Sequence, residues 1–202
     1  MKLPLIHFKR LFHVGTLDIT LKKENSYEGN NGLSVSTEPD VWRQINRGVT
    51  TGDTFALTKE NGTFIDFHAI SKAYWNSIYQ WGVEHGYLVP CIKYQFSYFD
   101  DEYNQTYTFS FFDKEEAEIE AEGYDAAIDE INSYKATSFL SSLVGLSNAD
   151  DPSLIIIAYC MANTECDGVY WTDKLNPLSY SAPRGIIFQD KLSSWIIQKN
   201  TL

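Results

Sequence analysis

Cysteine is scarce in this chain and shows no pairing pattern. Cys91, Cys160 and Cys166 contain no CxxC spacing, and an odd number cannot complete a disulfide framework. A disulfide-stapled scaffold is therefore excluded, and a reducing compartment, the cytoplasm, is expected. The four histidines, His7, His13, His68 and His85, form neither HExxH nor HxH, so no metal site is expected. GxSxG, Walker A and GxGxxG runs are also missing, which removes the serine-elbow, P-loop and ordinary dehydrogenase readings. No apolar run approaches the ~18 residues of a membrane span, and the opening residues are interrupted by His7, Lys9 and Arg10, unlike a signal peptide. No membrane contact is expected. Positive charge is short in one half only: residues 1–100 carry ten Lys or Arg against ten Asp or Glu, the remainder six against seventeen. The net charge of −11 thus lies in the second half, which disfavours direct binding to nucleic-acid phosphates and is compatible with a basic partner.

What is present describes an ordinary globular chain. Its 202 residues are 44% hydrophobic and 21% charged, enough for one sizeable core, and aromatic content reaches 15%. Residues 11–16 (Leu-Phe-His-Val-Gly-Thr) read as a strand with Phe12 and Val14 on its apolar face and His13 on the other. After a polar loop over 22–31, Leu33 and Val35 alternate with Ser34 and Ser36 in a second strand. Thr37 is the expected N-cap of a short helix carrying Pro39, Val41, Trp42 and Ile45 and ending at Gly48. Asn61-Gly62 between two apolar segments signals a hairpin, and the spacing over 69–84 a helix. A second, aromatic hairpin is expected around residues 100–104, then a glutamate-rich helical stretch over 113–134. The apolar run from Leu154 reads as a buried strand or short helix, followed by strands at 167–171 and 185–188. Hairpins without regular βαβ alternation predict an α+β class: one domain over 1–202 with an acidic hairpin–helix insertion at about 92–150.

The chemistry-bearing residues are His13-Val14-Gly15-Thr16, Ser34-Val35-Ser36-Thr37 and a late aspartate. This set resembles the ADP-ribosyltransferase superfamily, in its bacterial and phage toxin form with a Ser in place of the commoner second-strand Tyr. The resemblance implies a split β-sheet with NAD, as substrate, in the cleft. It puts His13 at the nicotinamide ribose, Gly15 and Thr16 beside the carboxamide, and Ser34, Ser36 and Trp42 around the nicotinamide. It also implies a carboxylate to stabilise the charge that builds at the anomeric carbon. Three aspartates compete for that role. By strand alternation Asp167 and Asp173 share a face and would both line the cleft, Asp173 being preferred; Asp66, after the early hairpin, is the third. Arg184 pairs either with the pyrophosphate or with a neighbouring acid. The function implied is NAD-dependent mono-ADP-ribosylation of a macromolecular acceptor, a protein first of all, by a toxin, effector or counter-defence protein acting in its own or a target cell's cytoplasm. The alternative is a binding protein with a degraded site, whose acidic half, Glu115 to Glu122 above all, covers a basic partner.

Overall fold

A computed structural model describes residues 2–18, 23–24, 32–45, 53–144, 151–175 and 181–200. Most of the polar loop expected over 22–31, the helix end expected at Gly48 and residues 145–150 lie outside them. In chain order the elements are β1 (Leu5–Gly15), the two-residue strands β2 (Leu17–Asp18) and β3 (Lys23–Glu24), β4 (Gly32–Val35), α1 (Pro39–Ile45), β5 (Asp53–Asp66) and α2 (Lys72–Glu84). Then come β6 (Leu88–Asp100), β7 (Gln105–Phe111), α3 (Lys114–Glu122), β8 (Asp129–Ala136), α4 (Ser138–Val144), α5 (Ile155–Asn163), β9 (Gly168–Trp171), β10 (Arg184–Phe188) and β11 (Ile196–Lys199). The class is mixed α+β.

The main sheet runs β1-β5-β9-β10-β4, with β11 on the first half of the β5 edge whose last residues pair with β9. Its two outer strands meet. Phe12 and Ser36 exchange both backbone hydrogen bonds at 2.8 Å, so the sheet curls until β4 returns to β1. Leu11, Leu33, Leu57, Phe64, Tyr170, Ile187 and Trp195 fill the space inside. A second core lies outside the curl, where Ile65, Val169 and Phe188 of the sheet pack against Ile78 of α2, Leu140 of α4 and the apolar α5.

This curl reverses the expected facing of β1. Leu11 and His13 are buried, whereas Phe12 and Val14 are half-buried, because β1 and β5 change face where their register shifts between Phe8 and Arg10. The same irregularity replaces the expected Asn61-Gly62 hairpin. Residues Asp53–Asp66 form one strand, since the eleven residues of β1 pair with both of its halves. Gly62 is there for space: a Cβ at this position would come within 2.4 Å of the Trp195 ring.

Helix α2 starts at an N-cap, Ser71, whose hydroxyl accepts from the Tyr74 amide. It stops at Gly86, which takes φ +73° while Tyr87 N–H donates to Gly82 O and Gly86 N–H to Val83 O. The aromatic hairpin is β6 with β7, its turn held by Asp100, whose Oδ1 accepts from the amides of Glu102 and Tyr103. The expected helix over 113–134 is corrected to nine residues, α3, followed by β8. Only Ala117 and Ala121 of α3 are buried, and residues 129–136 pair instead along β6 from Gln95 to Leu88. The run from Leu154 is a helix, α5, and the strand at 185–188 is followed by one more, β11. No described helix is long and apolar enough to cross a membrane.

Cys160 and Cys166 are buried in the outer core, and burial pushes both thiols up. Cys91 is half-buried on β6, where Lys135 and Lys93 oppose the upward push of burial. Thiolate is the reactive form. A water-soluble thiol reagent is therefore expected to modify one cysteine, Cys91, in the native protein and three in denaturant. Rapid native modification of Cys160, read by peptide mass, would contradict this packing.

Candidate active site

Two groups of side chains meet at the step between Pro183 and Arg184, where the chain enters β10. The first is built by β4 and α1. Ser36, buried, donates its hydroxyl to the Pro183 carbonyl at 2.5 Å and accepts from the Glu38 amide at 2.9 Å. Trp42 lies on α1 and donates Nε1–H to the same carbonyl at 3.1 Å. Its position follows from the helix start: Trp42 N–H donates to Glu38 O, making Glu38 and not the expected Thr37 the N-cap. Thr37 has another task. Its amide donates to the Tyr170 hydroxyl, and the two hydroxyls lie 3.1 Å apart. Burial pushes the Tyr170 phenol up, against the pull of the Thr37 hydrogen bonds, which keeps this internal strut neutral.

The second group is built by the parallel ends of β5 and β9, whose register sets Asp66 beside Tyr170. Just beyond them, His68 Nε2 lies 2.8 Å from Asp173 Oδ1, and Arg184 Nε lies 3.4 Å from Asp173 Oδ2. Thr172 donates its hydroxyl to Asp66 at 3.4 Å. Trp171 forms the floor: Phe67 packs on it at 5.2 Å, and the Arg184 guanidinium sits 5.8 Å from its ring centre. The group is open to solvent, with side-chain exposures of 23% for Asp173, 47% for His68 and 58% for Arg184. One carboxylate, a guanidinium and an imidazole therefore gather at one aromatic floor, with Asp66 reached through Thr172, and Pro183 joins them to a serine and a tryptophan.

The chain matches no family model, no curated protein and no solved structure.

The remaining residues picked out by sequence lie elsewhere. His13 is 1% exposed and donates Nδ1–H to the Ser34 carbonyl at 2.9 Å, bracing β4 from within. It does not stand on an open polar strand face. Ser34, whose carbonyl takes that bond, sits opposite Ile186 of β10. Gly15 and Thr16 close β1 at the end where Gly15 pairs with Asp53, itself salt-bridged to Lys199.

Asp167 needs a full correction. Its carboxylate is 3% exposed and accepts from Lys59 Nζ at 2.5 Å, the Thr63 amide at 2.8 Å and Trp195 Nε1 at 3.3 Å. These partners hold it inside the curl, so Asp167 and Asp173 do not line one cleft. Strand alternation failed as a guide because Asp167 precedes β9 and Asp173 follows it, and neither lies in the regular strand.

Sequence reading passed over His68, which is 105 positions from Asp173. The only available signal was its place directly after the end of a strand. An open groove of about 440 Å³ lies between α3 and β8, lined by Lys114, Glu118, Glu122 and Glu130. The hydrogen bond to Glu130 pushes Lys114 up, so this groove holds a cation among acids.

Proposed function

We propose that the protein transfers ADP-ribose from NAD to a macromolecular acceptor, with Asp173, Asp66, Arg184, Ser36 and Trp42 forming the site. The observation that carries this reading is the Pro183–Arg184 step. Ser36 and Trp42 fix its carbonyl, and the next side chain reaches Asp173.

NAD supplies a ribose whose bond to a cationic nicotinamide breaks with the departure of neutral nicotinamide. Asp173 and Asp66 supply negative charge where the anomeric carbon becomes positive, and a fixed carboxylate needs no reorganisation at that moment. Arg184 presents a planar guanidinium suited to the pyrophosphate. Trp42, half-buried with its ring nitrogen anchored, offers an aromatic face to the nicotinamide. His13 acts behind β4 as a positioning residue for the serine strand. In this reading the curled sheet corresponds to the split sheet of the ADP-ribosyltransferases.

The exposed carboxylates of Glu115, Glu116, Glu118, Glu120 and Glu122 on α3 favour a basic acceptor surface. They are also the basis of the alternative, in which this face binds a basic partner without catalysis. The test is incubation with NAD, with released nicotinamide measured by chromatography and NAD binding by calorimetry. Release together with binding is expected. Absence of both overturns the reading and leaves the binding protein.

A further inference from the structure

His68 brings to this site an imidazole with an open atom through which a proton can move. Its Nε2 faces Asp173 Oδ1 at 2.8 Å, and a carboxylate oxygen only accepts. The pairing therefore selects the neutral tautomer with its proton on Nε2 and a bare lone pair on Nδ1, as an orienting aspartate does for a catalytic histidine. No described residue is recorded as a hydrogen-bond partner of Nδ1, and the ring is 47% exposed, packed edge-on to Phe67 at 5.3 Å. Asp173 is the poorer base, because His68 and Arg184 each lie against one of its oxygens and stabilise its charged form.

We propose that His68 is the general base of this site and that the acceptor it serves is a hydroxyl group; this rests on the ADP-ribosyl-transfer reading. The choice of acceptor follows from what needs such a base. A carboxylate acceptor is ionised already, and a guanidinium is better met by carboxylates alone. An aliphatic hydroxyl is neutral at pH 7 and becomes a strong nucleophile only as its proton leaves. In the step, the hydroxyl proton passes to His68 Nδ1, the oxygen lone pair forms the bond to the anomeric carbon, and the bond to nicotinamide breaks with its electron pair leaving on nicotinamide. The imidazolium then returns its proton to water. The charged groups on the elements around His68 are Asp173 after β9, Arg184 on β10, Asp66 at the end of β5 and Lys72 at the start of α2.

Three measurements test the proposal. Nitrogen NMR of the imidazole is expected to show Nδ1 unprotonated in the neutral ring and this preference lost in Asp173→Ala, which removes the acceptor of Nε2–H; a proton on Nδ1 in the native protein overturns it. His68→Gln is expected to lower transfer about 10²- to 10³-fold and to remove the imidazole limb from the pH–rate profile while NAD binding by calorimetry persists. His85→Gln, at the far end of α2, serves as the control and leaves both unchanged. The product linkage is expected to resist neutral hydroxylamine, as an acetal does and an ester does not. Wild-type transfer that survives His68→Gln with its pH profile intact, or a labile linkage, overturns the base while leaving NAD transfer standing. Wild-type protein that releases no nicotinamide overturns the transfer reading and the base with it.

Discussion

Replacing Asp167 by alanine should destabilise the folded protein by about 3–5 kcal/mol, the range for removing one partner of a buried ion pair. One carboxylate joins three parts of the curled sheet. Lys59 and Thr63 belong to β5, and Trp195 precedes β11. The backbone of the same residue also donates to Thr63 O at 2.7 Å and accepts from Phe188 N at 2.8 Å. Truncation leaves the Thr63 amide and the Trp195 indole N–H without their acceptor inside the protein, each worth about 1–3 kcal/mol. Lys59 is 27% exposed and can turn its ammonium partly to water, which moderates the total. Asp167→Asn keeps one carbonyl acceptor and should lose less. Urea unfolding reads the effect as a lower midpoint at unchanged slope. Since domains are stable by only about 5–15 kcal/mol, the alanine variant should approach the edge of folding at 37 °C. A loss under about 1 kcal/mol would mean that Asp167 is not the tie between these strands.

The same residue shows how far the sequence could be read. Elements whose signal is local were legible: the strand carrying Leu33 and Val35 and the aromatic hairpin around Asp100 form where periodicity and turn residues put them, and the helix of Trp42 starts one residue after the expected place. Elements decided by a distant partner were not. Asn61-Gly62 carries a strong turn signal, yet β1 pairs on both sides of it and Trp195 occupies the space over Gly62. Residues 129–136 follow a helix in sequence, but the thirteen-residue β6 offers them a full ladder of backbone hydrogen bonds, and tertiary pairing outweighs local preference there.

The site divides in the same way. The family resemblance picked out Asp66, Asp173 and Arg184, of which the fold brings Asp173 and Arg184 into contact, but it left the three aspartates as competitors. Their sorting depends on the parallel pairing of β5 with β9, a contact across about a hundred residues with no trace in either strand's pattern. That pairing is also what brings in His68. His13 was misjudged for a related reason: alternation gives its face relative to its neighbours, but a sheet that closes on itself buries the face that an open sheet would expose.

Asp173→Asn should separate chemistry from folding in a way that no change at Asp167 can. Its partners His68 and Arg184 are 47% and 58% exposed, so these ion pairs are largely screened and their loss should cost at most about 1 kcal/mol. Asparagine keeps the shape and one oxygen to accept from His68, but it removes the charge. On the proposed reading that charge faces the cation developing at the anomeric carbon and orients the base, while the nicotinamide side of the site, Ser36 and Trp42 on the Pro183 carbonyl, is untouched. Losses of about 10²- to 10³-fold in turnover are typical when one such preorganised electrostatic partner is removed. The expected result is therefore a fall of that size in nicotinamide release, with NAD affinity within a few-fold of wild type and a melting temperature lowered by no more than a few degrees. Asp66→Asn should cost less, because Thr172 is the one hydrogen-bond partner recorded for its carboxylate among the described residues and Asp173 remains beside the reacting carbon. A melting temperature that falls in step with the rate would make Asp173 a structural residue like Asp167. An unchanged rate would move the reacting carboxylate to Asp66, the acid at the end of β5 that Thr172 holds.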